Sequence, residues 1–138
     1  MAVDPNEAFA KYKTYDFIYS QVHDAAVANA ASETASQIDA TTSLIARIQE
    51  SCAAYNQALY CRNYTETCKI IFPVMDRNQQ FLEGLHKEFL EGISAKYNSF
   101  MASQNKKYTG FCYDVNAMLN TLKTFNFLLG NLLYLKQK

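Results

Sequence analysis

Two histidines and four cysteines are the residues of this chain with the widest chemical range. Glu83 and His86 stand three residues apart, the Glu-x-x-His spacing with which helical bundles hold a pair of metal ions. Such a centre needs a second copy of the motif, and the other histidine, His23, follows no glutamate at that distance. The sequence therefore predicts no metal site, and we interpret His86 as a surface residue beside an apolar stripe.

The cysteines do not form a recognisable chemical group either. None belongs to a C-x-x-C pair or lies near a histidine in sequence: Cys52, Cys61, Cys68 and Cys112. No surrounding motif supports a nucleophile activated by a neighbouring base. The sequence therefore predicts a non-enzymatic protein with no catalytic residue, no cofactor and no small-molecule substrate.

The cysteines leave two locations open. The first residues lack the basic start and apolar run of a secretory signal, so reduced cysteines in a cytoplasmic protein are our expectation. An acceptor triplet for N-glycosylation, Asn63-Tyr64-Thr65, nevertheless lies between Cys61 and Cys68. The alternative is a secreted or delivered helical effector or surface protein with paired cysteines.

Charge and hydropathy lead us to expect no nucleic-acid partner and no membrane span. The formal net charge is zero, which does not favour nucleic acid or an anionic membrane. The most apolar segment is residues 125–135. A membrane-spanning helix needs roughly twenty residues, about twice as many. Residues 1–50 are mainly acidic and residues 101–138 mainly basic, so we expect the two ends to lie side by side in one bundle or across a dimer.

Two heptad runs define the elements that position these residues. Apolar residues alternate steps of three and four, the spacing that places them on one face of a helix. The first run is Ile38, Thr41, Ile45, Ile48, Cys52, Tyr55 and Leu59, and the second is Phe111, Val115, Met118, Leu122, Phe125, Leu129 and Leu132. Since no β-type alternation occurs, the pattern predicts an all-α fold.

The helix boundaries leave two architectures open. Asp4 and Pro5 are typical of a helix start, Thr34 with Gln37 fits a second start, and Pro73 predicts a turn or a third start. With a break near residue 30, four segments at about 5–30, 36–70, 74–104 and 110–137 predict an up-down four-helix bundle in one domain, 1–138. Without that break, one helix of about 60 residues predicts an elongated three-helix coiled-coil bundle.

Two groups of side chains are candidates for a partner interface. Tyr12, Tyr15 and Tyr19 lie within two turns of the first helix, and tyrosine suits a half-buried interface. The last helix is apolar on more than one side, and we expect it to expose five residues outside its heptad run: Leu119, Phe127, Leu128, Leu133 and Leu135. We predict that Phe127, Leu128 and Leu135 bind a partner or a second copy, with Tyr134 at the rim.

A Tyr-x-x-Phe step, a glycine and an aromatic–acidic step lead into the last helix. The residues are Tyr97-Asn98-Ser99-Phe100, Asn105 and Gly110-Phe111-Cys112-Tyr113-Asp114. Residues 97–124 thereby resemble the C-terminal part of the V-shaped helical domain of the ALIX/Bro1 family of endosomal sorting adaptors. The resemblance implies an all-helical arm that binds short peptide motifs or ubiquitin in protein transport.

Together these features predict a helical interaction or scaffold module that works inside a larger assembly. An endosomal-sorting adaptor arm is the specific form of this function that the resemblance implies. Self-association through helical faces is the other option that the apolar pattern leaves open.

Overall fold

A computed structural model describes residues 3–88 and 95–137, except for the side chains of residues 86–88. These residues form five α-helices and no β-strand: α1 (Pro5–Ala28), α2 (Ser32–Leu59), α3 (Tyr64–Glu88), α4 (Ala95–Lys107) and α5 (Val115–Gln137). The predicted all-α class is confirmed, and the helices pack as a bundle. In this part of the chain, no helix combines the length and the apolar character needed to cross a lipid bilayer.

The predicted start of α1 and the break near residue 30 are both confirmed. The Asp4 carboxylate accepts a hydrogen bond from the backbone N–H of Asn6 at 2.9 Å, and Pro5 opens the helix. The chain then turns at residues 29–31, where Ala30 adopts a left-handed conformation with φ of 56°. Because α2 folds back to pack on α1, the alternative of one continuous 60-residue helix is wrong.

The boundary predicted at Pro73, between segments 36–70 and 74–104, is wrong. α2 ends at Leu59, and α3 begins at Tyr64 and continues through Pro73 to Glu88. Asn63 starts α3, since its side-chain oxygen accepts from the backbone N–H of Glu66 at 3.2 Å. A proline inside a helix costs roughly 3 kcal/mol, and here the burial of Ile71 and Val74 on either side of it offsets that cost.

The loop before α5 lies close to its predicted place. α4 ends at Lys107, and Gly110 takes a φ of 83°, which glycine adopts at little cost. α5 starts at Val115 rather than near residue 110, because the Asp114 side chain accepts from the backbone N–H of Ala117 at 3.1 Å. The predicted third segment, 74–104, also includes residues 89–94, which lie outside the described residues.

α2 is the central helix, and it contacts α1, α3, α4 and α5. Its heptad run is buried from Ile38 to Cys52, whereas Tyr55 is half-buried and Leu59 is exposed. Every residue of the second run is buried, including Phe111, which precedes α5. The heptad pattern therefore predicts the packed face of α5 correctly and that of α2 for most of its length.

The buried residues form two apolar clusters. The larger joins α1, residues 35–52 of α2, α4 and the first half of α5. The smaller joins the ends of α2 and α5 to α3. Buried polar side chains lie between the two regions. Asn78 of α3 donates to the Ser51 hydroxyl at 2.7 Å and to the Asn126 side-chain oxygen at 3.0 Å. This polar layer links α2, α3 and α5.

Candidate functional site

α5 carries apolar residues on two opposite faces. One face is buried in the bundle: Val115, Met118, Leu119, Leu122, Phe125, Leu129, Leu132 and Leu133. On the other side Phe127, Tyr134 and Leu135 are 71%, 55% and 63% exposed, and Leu128 is half-buried. The expectation that Leu119 and Leu133 would also be exposed is wrong, because both pack inside the bundle.

The exposed apolar residues form one continuous surface, which we call the outer face of α5: Phe127, Leu128, Asn131, Tyr134 and Leu135. Their spacing of one, four, seven and eight residues places them on about a third of the helix circumference, opposite the core. The face is about 12 Å long at 1.5 Å per residue. No charged residue lies between Lys123 and Lys136, so the face is uncharged, and its polar side-chain groups are the Asn131 amide and the Tyr134 hydroxyl.

The bundle fixes this face by contacts on the buried side of α5. Asn126, next to Phe127 in sequence, accepts the hydrogen bond from the buried Asn78 of α3. Gly130 lies against Met75 of α3, and a Cβ atom added there would stand 3.4 Å from the Met75 methyl carbon. Because α3 holds α5 both through hydrogen bonding and through close packing, the outer face belongs to a rigid element.

Lys136, in the last turn of α5, binds the end of α2 and the turn that follows it. Its ammonium group donates to the backbone carbonyl oxygen of Leu59 at 2.9 Å and to that of Cys61. These two carbonyl groups lie at the end of α2 and in the turn to α3, where helical carbonyl groups lack partners within the helix. Lys136 is thereby directed toward α2 and away from the outer face.

The three tyrosines proposed for the interface are buried in the core of this chain. The Tyr15 and Tyr19 rings pack edge-on against Phe111, with centroids 5.8 and 5.0 Å away. The Tyr12 hydroxyl donates to Thr121 of α5 at 3.3 Å. Tyr12, Tyr15 and Tyr19 therefore hold α1 against α5, and we remove them from the candidate interface because a partner cannot reach them without opening the bundle.

Burial also changes the acidity of these phenols. Removal from water raises the pKa of Tyr12, Tyr15 and Tyr19 above the ordinary value for tyrosine. Tyr97 of α4 has its pKa raised by the same cause, and its hydroxyl lies 3.1 Å from that of Thr41. The four rings stay neutral at physiological pH and act as packing residues.

The potential reactive groups are dispersed through the fold. Burial raises the pKa of the Cys52 thiol to about 12, which suppresses the nucleophilic thiolate. His23 lies between α1 and α2, with its Nε2 atom 3.1 Å from a carboxylate oxygen of Asp39. Among the described residues, no three histidine, cysteine or acidic side chains are placed to bind a metal ion. The Glu83–His86 spacing ends in a side chain that lies outside the described residues.

Part of the segment 97–124 lines a groove between α4 and the start of α5. Asn98 and Asn105 of α4 line one side of it, and Cys112, Tyr113 and Asp114 line the other. Asp114 is already engaged as the cap of α5. The groove and the outer face of α5 are separate surfaces.

Sequence reasoning missed several exposed apolar residues away from α5. Phe17 of α1 is 65% exposed, and Tyr60 and Phe72 are also exposed. Phe17 does not share the helix face of Tyr12, Tyr15 and Tyr19. Its place outside that face was the only feature of the sequence that indicated its exposure. It provides a matched control for experiments on α5.

Comparison with known proteins found no counterpart: no protein-family model, no curated protein and no solved structure matches this chain.

Proposed function

We propose that this protein is a non-enzymatic interaction module of a larger assembly, and that it binds an apolar helix of its partner on the outer face of α5. The observation that carries the proposal is the exposure of Phe127, Tyr134 and Leu135 together on one rigid helix. Single exposed apolar residues are common on protein surfaces, but a continuous apolar surface with aromatic residues is typical of interfaces.

The outer face can contribute several kcal/mol to a contact with a partner. Complete burial of a large apolar side chain contributes about 1.5–3 kcal/mol. Phe127, Tyr134 and Leu135 each have more than half of that effect still available. A helix laid along this face would gain several kcal/mol before its losses of translational and rotational freedom. Phe127 is the most exposed apolar residue of the surface, and we expect it to contribute most.

In this proposal the other helices form a single up-down bundle that supports α5. Two contacts support such an arrangement: Lys136 reaches the end of α2, and Asn126 meets Asn78 near the middle of α3. Both apolar clusters lie on the opposite side of α5 from the outer face, so a partner can bind without rearrangement of the bundle. We also propose a cytoplasmic location, where cysteine thiols stay reduced.

The test is a comparison of three forms of the full chain in cells that naturally contain it. The Phe127→Ser/Leu135→Ser variant removes the two most exposed residues of the outer face. The control, Phe9→Ser/Phe17→Ser, removes two exposed phenylalanines of α1. We expect the parent and the control to retain the same proteins, further copies of the chain itself being counted among them. We expect the α5 variant to lose at least one of these proteins. Circular dichroism must show equal helix content in all three.

An equal set of retained proteins for all three forms would contradict the proposal. Loss of the same protein from both variants would also contradict it, because the effect would then not be specific to α5.

A further inference from the structure

The outer face of α5 is symmetric about one residue. Phe127 and Leu128 stand four and three residues before Asn131, and Tyr134 and Leu135 stand three and four residues after it. The two apolar pairs therefore lie about 4.5–6 Å on either side of Asn131 along the helix. A contact between identical copies across a two-fold axis has this property, because the same surface must be complementary to itself.

We propose that the outer face of α5 binds the same face of a second copy, as an antiparallel helix pair with its two-fold axis at Asn131. This inference rests on the proposed function, and it identifies the partner as a second copy of the chain. Helical spacing places Phe127 and Tyr134 on one flank of the face and Leu128 and Leu135 on the other. A two-fold axis perpendicular to the helix brings each flank onto the same flank of the second copy.

The pairs that result are chemically matched. Phe127 meets Tyr134 of the second copy, and aromatic side chains in contact add stability beyond the area that they bury. Leu128 meets Leu135 of the second copy. Each contact occurs twice because of the symmetry, so four pairs surround the central amide. A partner helix of unrelated sequence would have no need of this symmetric arrangement.

Polar chemistry at the centre fits the same geometry. A charged residue on a two-fold axis would face the same charge in the second copy, and the outer face has no charge between Lys123 and Lys136. Asn131 is exposed, and an amide both donates and accepts hydrogen bonds, so it can pair with its own symmetry mate. A single asparagine in an apolar seam between helices fixes their register and orientation.

The extent of the surface determines the strength of the dimer. Stable interfaces bury at least about 1,200 Å² in total, and two helix faces of about 12 Å bury less than that. We therefore expect a reversible dimer that forms at about 10–100 µM and dissociates on dilution.

The first experiment tests the symmetry directly through thiol cross-linking. In a full-length background with Cys61→Ser, Cys68→Ser and Cys112→Ser, Asn131→Cys places the new thiol on the proposed axis. Mild oxidation should link two copies through this position, because the two thiols face each other. The control is Asn120→Cys, which is also exposed and lies about 16 Å earlier on the same side of α5. It should form far less dimer.

The second experiment measures the mass of the protein by sedimentation over a range of concentrations. Asn131→Lys places like charges opposite each other on the axis and should weaken dimerisation by at least about tenfold. Asn120→Lys adds the same charge outside the contact and should leave dimerisation unchanged. A parent that is monomeric throughout this range would overturn the proposal, as would equal cross-linking at positions 120 and 131. Neither result would affect the proposed function if the α5 variant still loses a different protein in cells.

Discussion

At the residue scale, a few side chains and backbone conformations determine where the helices begin, turn and meet. Asp4 and its capping role were predictable, because Asp-Pro is a strong local signal for a helix start. Asn63 was overlooked in favour of Pro73, since the energy that keeps Pro73 inside α3 comes from tertiary burial. The left-handed Ala30 was also unpredictable, because no glycine marks that turn.

Replacing Ala30 by glycine should stabilise the protein by about 0.5–1 kcal/mol, because the left-handed conformation is costly for alanine and nearly free for glycine. Thermal or urea unfolding measures the change in free energy. Ala10→Gly, at an exposed position inside α1, is the matched control and should destabilise by about 1 kcal/mol. Destabilisation by both substitutions would contradict the conformation of Ala30.

Replacing Asn78 by alanine should destabilise the protein by about 1–3 kcal/mol, because two buried hydrogen bonds are lost and polar groups of α2 and α5 remain without them. Urea unfolding gives this value. Asn120→Ala, at an exposed position of α5, should change stability by less than about 0.5 kcal/mol. If both variants unfold alike, the polar layer makes no net contribution.

The buried tyrosines predict a loss of stability in alkali. Burial raises their pKa values in the folded state, so above pH of about 10 the unfolded chain releases protons that the folded chain retains. The unfolded state then binds fewer protons, and the free energy of unfolding falls as pH rises. Urea unfolding at pH 8 to 11 measures this slope. Tyr19→Phe should make it less steep, and an unchanged slope would contradict the burial of that phenol.

At the element scale, every residue of the heptad run in α5 is buried, and so is the run in α2 from Ile38 to Cys52. Spacing alone could not predict which apolar residues of α5 outside the heptad run are exposed. Leu119 and Leu133 lie off the run and are nevertheless buried. Spacing also placed Tyr15 and Tyr19 within two turns of α1 without showing that Phe111 packs against both rings. These positions depend on neighbours that are distant in sequence.

Leu122→Asp should unfold the protein, because this fully buried residue of α5 would carry an unpaired charge at a cost of several kcal/mol. Circular dichroism during heating measures the result. Asn120→Asp introduces the same charge at an exposed site one half-turn away and should melt within a few degrees of the parent. A Leu122→Asp variant as stable as the parent would show that this face of α5 is not core.

At the scale of the whole molecule, the bundle of described residues leaves an apolar side of α5 exposed. The sequence predicted part of that surface, Phe127, Leu128, Tyr134 and Leu135, and the structure adds Asn131 at its centre. The tyrosines that were expected to join it instead fix α1 to the rest of the bundle. The molecule therefore combines a rigid scaffold with one exposed, uncharged helix face.

The most direct measurement of protein binding at this face is photo-cross-linking inside the cell. A photoreactive phenylalanine analogue replaces Phe127 in one form of the full chain and Phe17 in another, since both positions are exposed and both normally carry phenylalanine. We predict that illumination links position 127 to a defined protein, which is a second copy of the chain if the dimer is correct, and that position 17 gives no such product. Absence of any product at position 127, or the same products at both positions, would contradict the claim that the outer face of α5 binds a partner.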